Sequence, residues 1–360
     1  MIRKARREWF GALVYNENPG MTVWVDHERA DALGIPKRDN RPPLAPGIYS
    51  VPLDVHMALT TRCQLRCPGC YAPLEDPGRD IDPDLARRII RRLSELNVFT
   101  LSFGGGEPTL HPELFELAPY ARTHRIAANI TTNGFSIGAS AAKQFQIFTS
   151  VHLSYHRDVD LPALTRAAIS LAEVGINPGL NLLLTNETFS SLDATLRWAR
   201  KHRIQRVLFQ QFKTSTHNAH CDHLRLAPDQ IAALVPQLRK LCRKHRILPL
   251  IDCSLFPVMA AAGIPRHDLE FFDLTGCQGG NAYAAIDIDG QLRPCSFWPG
   301  PILPAESLDE SLWSGHPALI AFRTSQPAAC SGCSLADLCS SPCRLPGFAA
   351  RQDFSRCHRH

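Results

Sequence analysis

From residue 51 to residue 251 the chain repeats one pattern: a short apolar run, a turn, then a stretch with apolar residues every three to four positions. Strand-like runs stand at 51–59, 98–103, 126–131, 148–154, 176–184, 206–212 and 247–251. Helical spacing separates them, near 112–123, 160–174, 188–202 and 227–246, and after Asp82-Pro83, where Leu85, Ile89, Leu93 and Leu96 share a face. Strands alternating with helices over some 200 residues predict a parallel sheet with crossover helices. Six or seven units are too few for a closed eightfold barrel and suit an open, partial one. In such folds functional groups collect at the C-terminal ends of the strands.

The flanks read differently. Residues 1–49 predict two short strands around Asn16-Glu17-Asn18-Pro19-Gly20, then a linker rich in proline (Pro36, Pro42, Pro43, Pro46). Residues 50–265 form the barrel. Residues 266–360 lose the periodicity, apart from 283–288 and 308–322, and are rich in Gly, Pro, Ser and Cys. Such a segment cannot build its own apolar core, so bound metal is expected to organise it. Apolar content of 44% and charged content of 20% fit a soluble globular protein. No apolar run reaches 18 residues, and the start, basic through Arg7, lacks the apolar core of a signal peptide. A cytoplasmic protein without membrane or nucleic-acid partners is expected. The arginine clusters at 87–92, 197–203 and 239–244 fall on amphipathic helices and read as solvated outer faces, or as attraction for an acidic peptide or redox partner.

Thirteen cysteines remain, and ten fall into two patterned sets. In a reducing compartment patterned thiols bind metal rather than pair. Cys63, Cys67 and Cys70 form a C-x3-C-x2-C run at the end of the first barrel strand. Zinc usually needs a second nearby pair; an iron–sulfur cluster held by three thiolates keeps one iron open.

This run, with Tyr71 after it, resembles the cluster loop of the radical S-adenosylmethionine (SAM) superfamily, in which three thiolates hold a [4Fe–4S] cluster whose fourth iron chelates SAM. The resemblance implies a partial (β/α)6 barrel and reductive cleavage of SAM to a 5′-deoxyadenosyl radical. It extends to Gly104-Gly105-Gly106-Glu107, similar to the family's GGE motif that receives the SAM amino group, and to Thr131-Thr132-Asn133-Gly134 on the next strand. By the same likeness Ser154 and Asn181 meet the ribose, and Tyr71 packs near the adenine.

The second set reads C-x12-G-x4-C from Cys277 through Gly290 to Cys295, then C-x2-C-x5-C-x3-C over Cys330, Cys333, Cys339 and Cys343, then Cys357. It resembles the SPASM extension of peptide-modifying members. The likeness implies an outer auxiliary cluster on Cys330, Cys333, Cys339 and Cys357, and an inner one on Cys277, Cys295 and Cys343, making three [4Fe–4S] clusters in all. The inner set lacks an obvious fourth thiolate; Cys253, Asp273 or an open iron would complete it.

Cys221 and Cys242 read as packing. Cys253, at a strand end, is a cluster ligand, a hydrogen-atom donor or plain packing, and Asp252 beside it a base or a structural carboxylate. The imidazoles of 217–223 read as a polar loop near the cavity mouth, and Asp54 and His56 as interior groups needing partners. What the resemblance implies is an enzyme that modifies a ribosomally made peptide, by a crosslink or other C–H functionalisation. Its partners would be a flavodoxin- or ferredoxin-type reductant and, since 8–35 is short for a recognition domain, a separate recognition protein. Alternatives are a maturase of a protein or quinone-cofactor precursor, a small-molecule enzyme of tetrapyrrole or antibiotic synthesis, and a non-catalytic electron carrier.

Overall fold

The computed structural model describes residues 3–18, 20–38, 47–156, 160–215, 217–271 and 274–345. Three antiparallel strands open the chain: β1 (Arg3–Glu8), β2 (Gly11–Asn16) and β3 (Met21–Val25). The expected pair corresponds to β2 and β3. β1 escapes a search for apolar alternation because it reads RKARRE, yet Lys4, Arg6, Arg7 and Glu8 are all buried. Buried charge must be partnered. Lys4 Nζ donates to the Val98 carbonyl, Arg6 donates to the Val51 and Pro52 carbonyls and to Glu8, and Glu8 accepts from Ser50. These polar contacts fasten the small sheet to the barrel.

The barrel follows the predicted order. Strands β4 (Asp54–Thr60), β5 (Thr100–Gly105), β6 (Ala127–Thr132), β7 (Ser150–Tyr155), β8 (Gly179–Leu184), β9 (Arg206–Gln211) and the short β10 (Leu248–Ile251) pair in sequence, every pair parallel. Helices cross between them, giving six βα units and a seventh strand. The helix Pro83–Glu95 is specified locally: the Asp82 carboxylate caps the Leu85 N–H, Pro83 pre-sets the first turn, and Ala86, Ile89, Ile90 and Leu93 bury one face. Each of the fully buried isoleucine and leucine side chains contributes about 1.5–3 kcal/mol.

The sheet continues past residue 265. β11 (Tyr283–Ile286) adds parallel to β4, and β12 (Gln291–Arg293) and β13 (Leu303–Pro304) extend it antiparallel, making ten strands. Ala284, Ile286, Leu292, Leu308, Trp313 and Leu319 belong to the same apolar core as the barrel strands. The expectation that metal organises everything after 265 is therefore corrected: residues 283–319 borrow the barrel's core. The reason is geometric, since β4 offers an edge that a two-layer barrel must cover. The arginine face of Pro83–Glu95 is likewise not all solvated. Arg88 pairs with Glu306, and Arg92 donates to the Leu308 carbonyl. Gly290 turns the β11–β12 hairpin at φ +72°, where a Cβ would press on Leu85 of that helix.

Candidate active site

A cavity of about 290 Å³ opens at the C-terminal ends of the barrel strands. Its wall includes Cys63, Cys67, Cys70, Tyr71, Gly104, Gly105, Gly106, Glu107, Thr131, Asn133, Ser154 and Asn181. Strand polarity dictates this convergence, because all the barrel strands end on one side.

The cysteine loop follows β4 and is held from below. Asn218, itself buried, donates to the Gly69 carbonyl at 2.9 Å and to the Lys213 carbonyl. Gly69 has φ +76°, and a Cβ there would lie 2.6 Å from Phe212. The sulfurs have amide donors: the Leu65 N–H reaches Cys63 Sγ at 3.4 Å, and the Ala72 N–H serves Cys70. Burial raises both thiol pKa values while these amides oppose it. Amide donors aimed at sulfur suit thiolate ligands, whose proton a metal displaces. The residues therefore fit an iron–sulfur cluster. Cys67 Sγ lies 3.1 Å from His156 Nε2, a neighbour the sequence reading did not single out.

Glu107 is buried and joins two strand ends. One carboxylate oxygen accepts from Thr109 N, Thr109 Oγ1 and Thr132 Oγ1, and the other from the Asn133 N–H at 2.8 Å. Burial raises its pKa and these hydrogen bonds pull it back. Oε2, with one donor, keeps acceptor capacity toward a ligand amine. The glycines before it are required by the protein itself: Cβ atoms at Gly105 and Gly106 would strike the Thr60 and Arg62 carbonyl oxygens at 2.6 and 2.2 Å. Gly104 leaves room for His56, whose Nε2 lies 2.1 Å from where a Cβ would sit.

Ser154 and Asn181 are paired in register on β7 and β8. The Asn181 amide donates to Thr131 Oγ1 and meets His152 Nδ1 through its oxygen. Tyr71 packs its ring 4.9 Å from Phe297, which comes from the C-terminal segment together with Tyr283 and Ser296. These three complete the wall, and Tyr283 OH, Ser296 Oγ and His56 Nδ1 form a chain with steps of 2.6 and 3.2 Å. Desolvation drops the His56 pKa to about 4, so its ring is neutral. Gln210, Gln211 and Lys213 at the end of β9 also line the cavity. The strand-end rule could have flagged those three; Tyr283 opens the apolar run 283–288, and nothing in the aperiodic stretch after it marks Ser296 or Phe297.

Asp252 and Cys253 do not line this cavity. Asp252 forms a buried ion pair with Lys213, and its pKa stays low because the ammonium outweighs burial. Asp54 accepts from Thr100 and Ser102. His217, His220 and His223 are exposed and away from the cavity wall.

The second cysteine set lies beyond Phe297. Cys277 N donates to the Ser341 carbonyl, a bridge that lays residue 276 beside 341 and so brings Cys277 near Cys343. Cys295 and Cys343 pack with Phe297, Trp298 and Leu345. Cys333 and Cys339 pack with Leu335 against Phe256 and Ile264, and Cys339 Sγ would lie 3.2 Å from a Cβ on Gly276. Cys357 and Asp273 lie outside the described residues. Among the described residues no three His, Cys, Asp or Glu side chains converge as a single-ion site.

Residues 57–206 match the family model of the radical SAM superfamily. The chain therefore carries a radical SAM domain over residues 57–206, the stretch that holds the cluster loop and most of the barrel strands. Its relatives are of the SPASM type, peptide maturases among them. It is 25% identical over 325 residues to the mycofactocin maturase MftC of Mycobacterium ulcerans, covering 82% of this chain and 84% of that one. It is 24% identical over 269 residues to the Fe-coproporphyrin III synthase of Methanosarcina barkeri, covering 67% of each. Streptococcus suis SuiB bound to its precursor peptide SuiA superposes with TM-score 0.74 at 18% identity, over 95% of this chain and 94% of that one. Members of the superfamily use SAM and a [4Fe–4S] cluster. No helix among the described residues is long and apolar enough to cross a membrane.

Proposed function

We propose that this enzyme modifies a ribosomally synthesised peptide, forming a crosslink or another C–H functionalisation. The observation that carries the reading is one cavity that gathers the three loop cysteines, Glu107 and four strand ends under a lid from the C-terminal segment. When bound, the cluster and SAM supply a carbon-centred radical that abstracts hydrogen. Cys63, Cys67 and Cys70 would hold the cluster. Glu107 Oε2 and the backbone at Gly104, Gly105 and Gly106 would receive the SAM amino group, with Thr131 and Asn133 fixing that edge. Ser154 and Asn181 would meet the ribose, and Tyr71, stiffened by Phe297, the adenine. Phe297, Tyr283 and Ser296 exclude water from the wall.

Cys277, Cys295 and Cys343 would hold an inner auxiliary cluster, and Cys330, Cys333, Cys339 and Cys357 an outer one. The amide donors on Cys277 (Gly279), Cys295 (Phe297, Trp298) and Cys343 (Leu345) support this, as they do in the first loop. Asp252 would act through Lys213, fixing an ammonium at the cavity edge. The peptide class is supported by the maturase relative and by the SuiB–SuiA likeness. A flavodoxin- or ferredoxin-type reductant and a separate recognition protein would complete the system. A second reading, a tetrapyrrole substrate, is favoured by the coproporphyrin-synthase relative.

Anaerobic reconstitution with iron, sulfide, dithionite and SAM tests the reading. 5′-Deoxyadenosine should form, and a precursor peptide encoded beside the gene should lose about two mass units per crosslink. SAM binding without cleavage would overturn the enzyme reading. Turnover of a porphyrin but no peptide would transfer it to the second.

A further inference from the structure

At the end of β10, Asp252 and Cys253 stand side by side but face different neighbours. Asp252 takes the Lys213 ammonium, which lines the cavity and sits 4.9 Å over the Phe297 ring. Cys253 stays off the cavity wall, and its thiol interacts with the Cys277 thiol. A hydrogen-atom donor must reach the substrate carbon, and this thiol is not part of the cavity wall, to which Lys213 belongs.

Cys277 is joined to Cys343 through the Ser341 carbonyl and through Arg344, which donates to the Cys277 carbonyl at 3.2 Å. Cys343 and Cys295 share one apolar cluster. The Lys213 ammonium interacts electrostatically with Cys253, Cys295 and Cys343 alike. Cys277, Cys295 and Cys343 of the C-terminal segment thus lie within electrostatic reach of one another, and Cys253 of the barrel joins them through Cys277.

We propose that Cys253 is the fourth ligand of the inner auxiliary cluster, completing Cys277, Cys295 and Cys343. It supplies from the barrel the thiolate that the spacing of the C-terminal set leaves out. The inner cluster is then closed, with no iron free for substrate, and Cys253 is not a hydrogen donor. The inference rests on the reading that the other three cysteines hold a cluster.

The test uses the full chain carrying Cys63→Ala, Cys67→Ala and Cys70→Ala, so that only auxiliary iron remains, reconstituted anaerobically. Iron and sulfide per chain, the dithionite-reduced EPR spectrum with and without cyanide, and the melting temperature are read together. Adding Cys253→Ala should remove about half of the auxiliary iron, or leave a signal that cyanide shifts, as expected when one of four thiolates is lost. Cys253→Ser, which keeps size and a donor atom, should retain iron with altered g values; it decides the matter if the alanine variant fails to fold. Cys242→Ala, in a buried cysteine on the helix Pro228–His245, should change neither iron nor spectrum. Full iron with an unchanged, cyanide-insensitive spectrum in both Cys253 variants would overturn the proposal, as would a cyanide-sensitive signal before Cys253 is changed. If Cys277→Ala costs iron and Cys253→Ala does not, only this inference fails. If Cys277→Ala costs none, the auxiliary-cluster reading itself fails.

Discussion

In the barrel, apolar residues from seven strands and their helices meet in one core, and the loop Cys63–Cys70 sits on its rim, kept in place by Asn218 and Phe212. In the C-terminal segment Cys277 and Cys343 are buried, while Cys295, Cys330, Cys333 and Cys339 are half-buried like those of the loop, and the backbone around them has little regular structure. Residues 283–319 gain order from the barrel's core, and the stretch around Cys330–Cys339 from a small cluster under Phe256 and Ile264. One region carries its cysteines on a finished scaffold. The other has a scaffold only where it touches the first.

The largest expected effect separates chemistry from folding. Replacing Cys63, Cys67 and Cys70 by alanine should cut 5′-deoxyadenosine formation to background while the melting temperature moves by only a few degrees, since the loop lies outside the core. Unfolding of that variant, seen by circular dichroism, would break the distinction drawn between the regions.

Next comes the shared core. Trp313 is fully buried in the barrel's cluster although it lies in the C-terminal segment. Trp313→Ala should cost about 3–5 kcal/mol of stability by denaturant titration, even in protein free of iron. A loss seen only in the iron-loaded form would return the organising role to metal.

The hydrogen-bond chain between the regions gives a pH signature. The His56 pKa is lowered to about 4 from an ordinary 6.5 by burial. The unfolded chain therefore binds the extra proton between those values: the stabilisation is complete above about pH 6.5 and drains away as pH falls toward 4. His56 keeps some exposure, so the difference should be about 2 kcal/mol rather than the roughly 3 of a dry site. His56→Gln should flatten the stability profile over that window; an unchanged slope would remove His56 as its source.

The smallest effect falls on the hairpin turn. Gly290→Ala, at φ +72° against Leu85, should cost about 1–2 kcal/mol and loosen the C-terminal segment first. Limited proteolysis should then cut beyond residue 290 before it cuts the barrel.

The barrel was legible because its residues answer to one period. Alternation and helix caps such as Asp82-Pro83 place most of its elements within a few residues, and the cysteine loop, Glu107, Thr131, Ser154 and Asn181 fall at strand ends for that reason. β1 was not legible, because Arg6 and Glu8 are buried by satisfying one another and the backbone, which no hydropathy pattern records. Phe297, Ser296 and Tyr283 were hidden by distance along the chain: they reach the cavity only because β11 pairs with β4, and a parallel pairing across more than 200 residues leaves no local mark. The role of Cys253 depends on which way one side chain turns at the end of β10.

The pairing of β11 with β4 also sets a timetable. The wall around Tyr71 is finished by residues that leave the ribosome after the whole barrel has emerged. A truncation before residue 283 should open the Tyr71 side of the cavity and at the same time strip the barrel of core side chains such as Ile286, Leu292 and Trp313.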